Sequence, residues 1–381
     1  MRISRVVVTL LSVLLIGAIA APIHAQGDPS MLFWVADASG AQTRIVAIVD
    51  DLAGQELFNY AQADVDVTSV IISRDTQSVA MTLSSKADAT TSVWYRHAGA
   101  APVTIPNAQV TAFTPDSAYL LYQWALFQSF GIGVVNLNTG KQLEFIGART
   151  EAQGVKGGAA APLHFDGSTL YAVGYLPFSD AGPFGLYSFD LAANVQDIAN
   201  KSGRFDLPPA ASVTQVDNYG LGGHPLISPD GTQIAFLAND PGNVPTNLPD
   251  MPFQPNTNVL YVVNLATRAA TRLAQAGPGQ LLMGLSWMSD SRGLVFAGGS
   301  YGSINTVYTA SVDGNVQPLG VLNAGAGNIM QAAICGRYVY VTWSVGDGSG
   351  ALMVKRASLT DLTALQDVGS TDTMRMLGCS A

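Results

Sequence analysis

One short pattern recurs along this chain and constrains its fold more than any other feature: an apolar strand end, a tight turn and a second apolar strand. Its clearest copy is Ile227-Ser228-Pro229-Asp230-Gly231-Thr232-Gln233-Ile234-Ala235-Phe236. Aligned on the turn aspartate, further copies are centred on Asp75, Asp116, Asp166 and Asp290, with degenerate copies at Cys335 and Cys379. A period near ~40 residues with insertions is typical of β-propeller blades.

The second strand of each copy is apolar at consecutive positions, as in Ile234, Ala235 and Phe236. Because successive side chains of a strand point to opposite faces of its sheet, such a strand has to be covered on both faces. The pattern therefore predicts an all-β protein whose sheets are stacked between other sheets. Turn residues such as Asn138-Thr139-Gly140 divide each repeat into four strands, A to D in chain order.

The two ends of the chain complement each other. Leu32 to Val35 matches a B strand with no A strand before it, and Thr373 to Leu377 matches an A strand with no B strand after it. We therefore predict a seven-bladed β-propeller, with six or eight blades as alternatives, in which the C-terminal strand joins the N-terminal blade. Closure removes the exposed sheet edges of an open array.

The best-preserved unit carries a family resemblance. Ser228 to Phe236, followed by Leu260-Tyr261-Val262-Val263-Asn264-Leu265, resembles the WD40-like repeat of TolB-type β-propellers, which also occurs in the propeller domains of prolyl oligopeptidase-like proteins. Other copies keep the aspartate but lose the proline, the glycine or both. The repeat carries no catalytic residues in this family, so the resemblance implies none here. It implies an exported propeller that serves as a binding scaffold.

The N-terminus has the features of an export signal: Arg2 and Arg5, an apolar run from Val6 to Ala21, and Ile23-His24-Ala25 as a small-residue cleavage site. We predict a signal peptide over residues 1–25 and a single propeller domain over residues 26–381, secreted or periplasmic, with no membrane span after cleavage. An uncleaved membrane anchor is the alternative.

Charge and cysteine content narrow the partners and the compartment. Charged residues make up 12% of the chain and its net charge is −9, which argues against nucleic acid as a partner. Cys335 and Cys379 are the only cysteines, and both occupy the turn position after an A strand, in neighbouring blades. In an oxidising compartment we predict a disulfide between them.

The sequence gives little support for a catalytic site. Gly298 to Gly302 matches a nucleophile-elbow pattern, but no histidine follows residue 224 to complete a triad. His97, His164 and His224 are scattered, although His164 and His224 lie on or near A strands that line a propeller channel. We predict no cofactor, no metal and no catalytic residue. The rival hypothesis is an enzyme of lactonase or cyclotransferase type with a site at the channel mouth.

Loop lengths favour one face for binding. In a four-stranded blade the A-to-B and C-to-D turns lie on one face, and these are predicted to be short throughout. The long connections are of the B-to-C or D-to-A kind: residues 124–130, 175–184, 239–258, 147–160 and 202–222. We predict that this face recognises a protein or a glycan. The candidate partner-binding residues are Trp124, Phe127, Phe130, Phe178, Phe184 and Phe253; the alternative is that these rings pack under their own loops.

Overall fold

The structure is a computed structural model. It describes residues 29–36, 42–48, 52, 54–61, 63–126, 129–148, 161–175, 184–215, 225–238, 258–300, 302–323, 325, 327–345, 352–370 and 374–380. The predicted signal peptide lies outside these residues. Among those described, no helix has the length and apolar character that a membrane crossing requires.

Nearly all described residues belong to strands or to the turns between them. The strands are β1 (Met31–Ala36), β2 (Gln42–Ile48), β3 (Gln55–Ala61), β4 (Val65–Ile72), β5 (Ser78–Ser85), β6 (Thr91–His97), β7 (Val103–Pro106), β8 (Ala108–Phe113), β9 (Tyr119–Leu126), β10 (Ser129–Asn136), β11 (Lys141–Ala148), β12 (Ala161–Phe165), β13 (Thr169–Tyr175), β14 (Phe184–Asp190), β15 (Gly203–Asp206), β16 (Ala210–Gln215), β17 (Leu226–Ile227), β18 (Gln233–Ala238), β19 (Val259–Asn264), β20 (Ala270–Gln275), β21 (Gln280–Trp287), β22 (Gly293–Ser300), β23 (Ser303–Ser311), β24 (Val316–Val321), β25 (Gly327–Cys335), β26 (Tyr338–Val345), β27 (Leu352–Ser358), β28 (Asp361–Ser370) and β29 (Met374–Cys379). A short 3-10 helix (Ala192–Asn194) leads into the helix α1 (Val195–Asn200).

The described strands form an all-β, propeller-like arrangement. Five sheets are separate, with the orders β29-β1-β2-β3, β4-β5-β6-β7, β15-β11-β10-β9-β8, β12-β13-β14-β16 and β17-β18-β19-β20. We call these sheets 1 to 5. The sixth has eight strands in the order β24-β23-β22-β21-β25-β26-β27-β28. Its two four-stranded halves meet at one parallel pair, Gly284 with Gln331. Gly284 has φ +68°, and a Cβ there would lie 2.8 Å from the Gln331 Cα, so only glycine allows this approach.

The predicted meeting of the chain ends is confirmed. β29 pairs antiparallel with β1, with Trp34 opposite Arg375. Beyond the strands, the Ser380 backbone N–H donates to the Ser30 carbonyl at 2.9 Å. The predicted disulfide is also present: Cys335 and Cys379 end β25 and β29, and their Cα atoms are 5.4 Å apart.

Apolar packing joins each four-stranded unit to the next. Within the described residues, seven buried clusters each draw on two units that follow one another, including one between the halves of the eight-stranded sheet and one between its second half and sheet 1. Representative pairs, in ring order, are Trp34 with Met81, Val93 with Tyr122, Phe145 with Tyr187, Tyr171 with Phe236, Leu260 with Phe296, Ile304 with Trp343 and Tyr340 with Phe33. Burying one such side chain is worth ~1.5 to 3 kcal/mol, so these layers are the main source of cohesion.

Sheet 4 corrects one prediction. Its C-to-D connection is long, because after β14 the chain forms the two short helices and then β15, which pairs in parallel with β11 of sheet 3. β16 completes sheet 4 only afterwards. The prediction that C-to-D turns are short throughout is therefore wrong here, and residues 202–222 are not one loop. Ile198, 1% exposed, packs into the cluster between sheets 3 and 4 and gives the insertion its apolar anchor.

Candidate functional site

The A-to-B turns of sheets 2, 3 and 5 use a side-chain hydrogen-bond network. Ser228 Oγ donates to Asp230 Oδ1 at 2.6 Å and accepts the Gln233 N–H at 3.0 Å. Asp230 Oδ1 also accepts the Thr232 N–H at 3.1 Å. The same arrangement recurs at Ser73 with Asp75 and at Thr114 with Asp116. These residues satisfy the backbone of a sharp turn, which explains their recurrence without any catalytic role.

The same hydrogen bonds set the pKa of the Asp230 carboxyl. Partial burial alone would raise the pKa of the carboxyl, but the hydrogen bonds from Ser228 and Thr232 outweigh burial and lower that pKa. The carboxylate is therefore held in its charged form. A charged group fixed by the turn itself is a poor proton donor at neutral pH.

Neighbouring turns are tied to one another around the ring. The Asp230 N–H donates to Ser291 Oγ in the next unit at 2.9 Å, and the Asp75 N–H donates to Ser117 Oγ at 3.4 Å. Ser291 and Ser117 have φ of +61° and +58°. Each serine thus occupies the left-handed position that glycine fills at residue 231, and its hydroxyl links two units.

Arg74 reaches across the centre of this face. Its guanidinium donates to the Pro229 carbonyl of sheet 5 and, at 3.3 Å, to the Ser289 carbonyl of the eight-stranded sheet. Arg74 itself belongs to the A-to-B turn of sheet 2, between β4 and β5. One cationic side chain therefore connects turns that are far apart in the sequence.

Behind Arg74 lies a central cavity of about 640 Å³, walled mainly by A strands. Apolar side chains such as Val70, Phe113, Leu226 and Met376 contribute to its lining, and Arg74 is the one charged residue among the described lining residues. With these described lining residues the cavity can hold an apolar molecule, and none of them forms an acid–base pair.

His164 lies on β12, the A strand of sheet 4, as predicted. It is not among the described residues that line the central cavity. It is 5% exposed and stacks on Tyr171, with ring centroids 6.0 Å apart. Its Nδ1 has no hydrogen-bond partner among the described residues. Burial lowers the pKa of the imidazole, although Asp166 and Asp116 act in the opposite direction. The folded chain therefore favours neutral His164. His224 lies outside the described residues.

In the described part of the chain, no three His, Cys, Asp or Glu side chains come close enough together to hold a metal ion. His97 is engaged with Ser78, its Nδ1 lying 2.7 Å from the serine Oγ.

The opposite face carries the B-to-C and D-to-A connections. Long ones join β11 to β12, β13 to β14, β16 to β17 and β18 to β19, and all four border sheets 3, 4 and 5. On the other sheets these connections are short; a single residue, Asn107, joins β7 to β8. The predicted loop over residues 124–130 is wrong, because β9 continues to Leu126 and β10 begins at Ser129.

The structure describes the six candidate aromatic residues to different extents. Phe127, Phe178 and Phe253 lie outside the described residues. Phe130 and Phe184 lie in β10 and β14, where the described structure covers the backbone. For all five, a role in binding a partner stays a prediction.

Trp124 is the one candidate whose side chain the structure describes. It lies near the end of β9, is 6% exposed and covers Gly131 on the neighbouring strand, where a Cβ would come within 1.8 Å of the indole. The Arg204 guanidinium carbon lies 5.8 Å from the ring centroid. Trp124 nevertheless forms part of the wall of a second cavity, of about 290 Å³, on this face. Its role in binding stays a prediction.

Comparison with known proteins places the fold. No family model matches the chain, and no curated protein sequence matches it. Among solved structures, it is similar to a prolyl endopeptidase (TM-score 0.56, 13% identity, 91% of this chain and 50% of that one). It is also similar to oligogalacturonate lyase from Vibrio parahaemolyticus (TM-score 0.51, 12% identity, 91% and 87% coverage). This chain spans about half the length of the endopeptidase.

A weaker similarity involves the family named from the sequence. TolB from Acinetobacter baumannii aligns over 91% of this chain and 81% of its own, at 14% identity and a TM-score of 0.42. Structural neighbours thus include TolB, but a TM-score of 0.42 does not support assigning this chain to that family. At such identities the stronger matches establish a propeller-like fold and leave activity open.

Proposed function

We propose that this protein is an exported, non-enzymatic binding module, a β-propeller that holds a protein or glycan partner on its B-to-C and D-to-A face. The observation that carries the proposal is the uneven distribution of connection lengths on that face. Long segments on a rigid scaffold are the usual place for recognition, because they change without disturbing the core. The long segments adjoin sheets 3, 4 and 5, so we propose that the partner is held in this sector.

The proposed architecture has seven blades. Each half of the eight-stranded sheet has the four-stranded A-to-D order of sheets 1, 2, 4 and 5, and a buried apolar cluster separates the halves. Counting the halves separately gives seven units. We also propose that the repeat is of the TolB-type WD40-like kind, on the strength of the Ser228 to Phe236 unit and its recurrent turn network.

Two features of the chain support the proposal that it is exported. The first is the N-terminal segment, with its basic start, apolar run and small-residue cleavage site. The second is the Cys335–Cys379 disulfide, since structural disulfides persist mainly in oxidising compartments. A secreted or periplasmic location fits both.

The test compares two shortened variants of the exported chain. In one, residues 241–256 between β18 and β19 are replaced by an Asn-Gly turn; in the control, residues 37–41 between β1 and β2 are replaced in the same way. Both changes lie at the same end of their sheets, but only the first falls in the proposed sector. The probes are a glycan microarray and a solubilised envelope fraction from the producing cells.

We expect the first variant to lose at least one interaction that the wild type and the control retain. Equal capture by both variants would contradict the proposal. A triple variant, F127A/F178A/F253A, then tests the candidate aromatic residues, while Trp124 is left intact because its burial makes its removal a folding defect. Tightly bound metal in the purified protein, together with hydrolase or transferase activity, would favour the rival enzyme hypothesis.

A further inference from the structure

The central cavity has the size and the lining of a small-molecule site. Its volume of about 640 Å³ lies within the ~300 to 1,000 Å³ typical of ligand pockets. Four half-buried apolar side chains that line it come from the innermost strands of four sheets: Ile72, Phe113, Leu226 and Leu377. Because other sheets flank these strands, the exposed part of each side chain faces the cavity. An occupant therefore meets apolar surface from several directions.

Arg74 crosses the A-to-B end of this cavity. Its guanidinium donates to the Pro229 carbonyl and, at 3.3 Å, to the Ser289 carbonyl, and all three residues line the cavity. These two bonds fix the positive charge at the cavity wall. The bond to Ser289 is long, and a guanidinium carries further N–H donors beyond the two in use. A stronger acceptor can therefore replace a carbonyl here without leaving the arginine unpaired.

No acidic side chain forms an ion pair with Arg74 within the part of the chain that the structure describes; the ion pairs found there involve other residues. The adjacent Asp75 is engaged with its own turn, where its Oδ1 accepts the Gln77 N–H at 3.0 Å. Asp230 likewise accepts the Thr232 N–H. A chain with 27 acidic and 18 basic residues thus provides Arg74 with no acidic partner among its described residues. A cation of this kind at the wall of an apolar cavity indicates an anionic group on the ligand.

We propose that this cavity binds a small amphiphile with one carboxylate and an apolar chain, of the fatty-acid class. The carboxylate takes the place of the Ser289 carbonyl on the Arg74 guanidinium, because a guanidinium forms two parallel hydrogen bonds with a carboxylate but only one with a carbonyl. The chain lies against the apolar side chains of the A strands. This site is at the end of the ring opposite to the proposed partner face, and its assignment does not rest on the proposed function.

Other ligand classes fit the same residues less well. A cationic ligand meets Arg74 and, among the described lining residues, no carboxylate. A polyphosphate requires several cations, whereas Arg74 is the one charged residue in that lining. A sugar has hydroxyls on all sides and would leave some of them unpaired against Phe113 and Leu226. A purely apolar molecule makes no use of the guanidinium.

The experiment is a calorimetric titration of the full mature protein at neutral pH with decanoate, and with decanol and decyltrimethylammonium as the neutral and cationic comparisons. The site variant is Arg74→Gln. The matched control is Arg292→Gln, which removes the same charge from an exposed A-to-B turn outside the described cavity lining. Circular dichroism and thermal melting establish whether both variants fold.

We expect the wild type to bind decanoate at least about tenfold more tightly than decanol or decyltrimethylammonium, the effect of one good charged hydrogen-bond pair. R74Q should bind decanoate about tenfold more weakly and decanol as before, and R292Q should behave as the wild type. Lengthening octanoate to decanoate should tighten binding about fifteenfold, because each methylene transferred from water to an apolar site contributes about fourfold.

A second measurement locates the ligand and does not depend on the folding of R74Q. In protein with isotope-labelled methionine methyl groups, saturating decanoate should shift the NMR signal of Met376, which lines the cavity. The signal of Met81, which is buried between sheets 1 and 2, should stay in place. The variant M376L identifies the first signal.

Four outcomes overturn the assignment. They are that no alkanoate saturates the wild type below about 1 mM, that decanol binds as tightly as decanoate, that folded R74Q binds decanoate normally, or that the Met376 signal does not move. Partner capture on the opposite face is tested separately by the loop replacements, so either proposal can fail while the other stands.

Discussion

The Cys335–Cys379 disulfide joins β29, the last strand, to β25 of the neighbouring unit. The loss of stability expected when it is removed can be worked out from the length of chain that it closes. The bridge closes a segment with a sequence separation of 44 residues. In the chain-entropy model a loop of this length stabilises the folded state by about 4 kcal/mol, mainly by restricting the unfolded chain. A chain of 381 residues unfolds with an entropy of ~2.1 cal/mol/K per residue, so C335A/C379A should lower Tm by about 5 °C.

Other contacts hold the same strand in place, so we expect the variant to fold. β29 keeps its pairing with β1, and Ser380 keeps its backbone and side-chain bonds to Ser30. Met376 remains packed with Phe33 in the apolar cluster between sheet 1 and the second half of the eight-stranded sheet. The variant should therefore keep the wild-type β-sheet content, with a lower midpoint. Its m-value should equal or exceed that of the wild type, because its unfolded chain is less compact.

The assay is urea unfolding of wild type and variant, each with and without dithiothreitol. The difference between oxidised and reduced wild type should equal that between wild type and variant, and the reductant should leave the variant unchanged. The reasoning is refuted if the oxidised wild type and the variant unfold within about 0.5 kcal/mol of each other. A shift of the variant by dithiothreitol would point to an artefact of the reagent.

Three further changes test the turns and the channel. Thr76 has φ +58°, a conformation that strains a β-branched residue, so T76G should stabilise the chain by about 0.5 to 1 kcal/mol in urea unfolding. S291G, at the equivalent turn, should give less or the opposite, since Ser291 Oγ accepts the Asp230 N–H; equal gains at both would contradict this account. R74A should cost about 1 kcal/mol by removing the hydrogen bonds across the channel; an unchanged midpoint would show that water replaces them. Because burial lowers the pKa of His164 below 6.5, its contribution is constant above that pH and is lost as the pH falls below it. H164F should therefore flatten the decline in stability between about pH 7 and about pH 5, and parallel pH profiles would refute the assignment.

Much of the fold was accessible from the sequence, because a strand that is apolar on both faces has few structural solutions. Phe236 and its neighbours illustrate this, since β18 is covered on one side by sheet 4 and on the other by the eight-stranded sheet. The incomplete repeats at the two ends likewise predicted the pairing of β29 with β1. Both inferences depended on runs of consecutive apolar residues and on their repetition along the chain, which can be read directly from the sequence.

The insertion in sheet 4 was missed because its signals are not local. β15 has four residues, and its partner β11 lies about 60 residues earlier in the chain. No repeat marks it, and Ser202 and Gly203 are residue types typical of a loop. What fixes the insertion is tertiary: Ile198 in the core, Phe205 beside Phe145, and Arg204 in an ion pair with Glu144 at 2.6 Å.

The candidate site was predicted less well, for a different reason. Aromatic content and chain length indicate where a loop lies, but not where the flanking strands end. Trp124 was assigned to a loop over residues 124–130, whereas β9 continues to Leu126 and places Trp124 in a buried position over Gly131.

The two faces of the ring differ in how their polar groups are used, and this has consequences for mutagenesis. At the A-to-B end, Ser228, Asp230 and Arg74 have their hydrogen-bonding groups directed at turns of the same chain. Such groups are already satisfied, and a ligand would have to displace them. At the other end, the hydrogen bond between Gln123 Nε2 and Gln109 Oε1 is long, 3.4 Å, and exposed. Substitutions in the A-to-B turns should therefore cost more stability than substitution of these two glutamines.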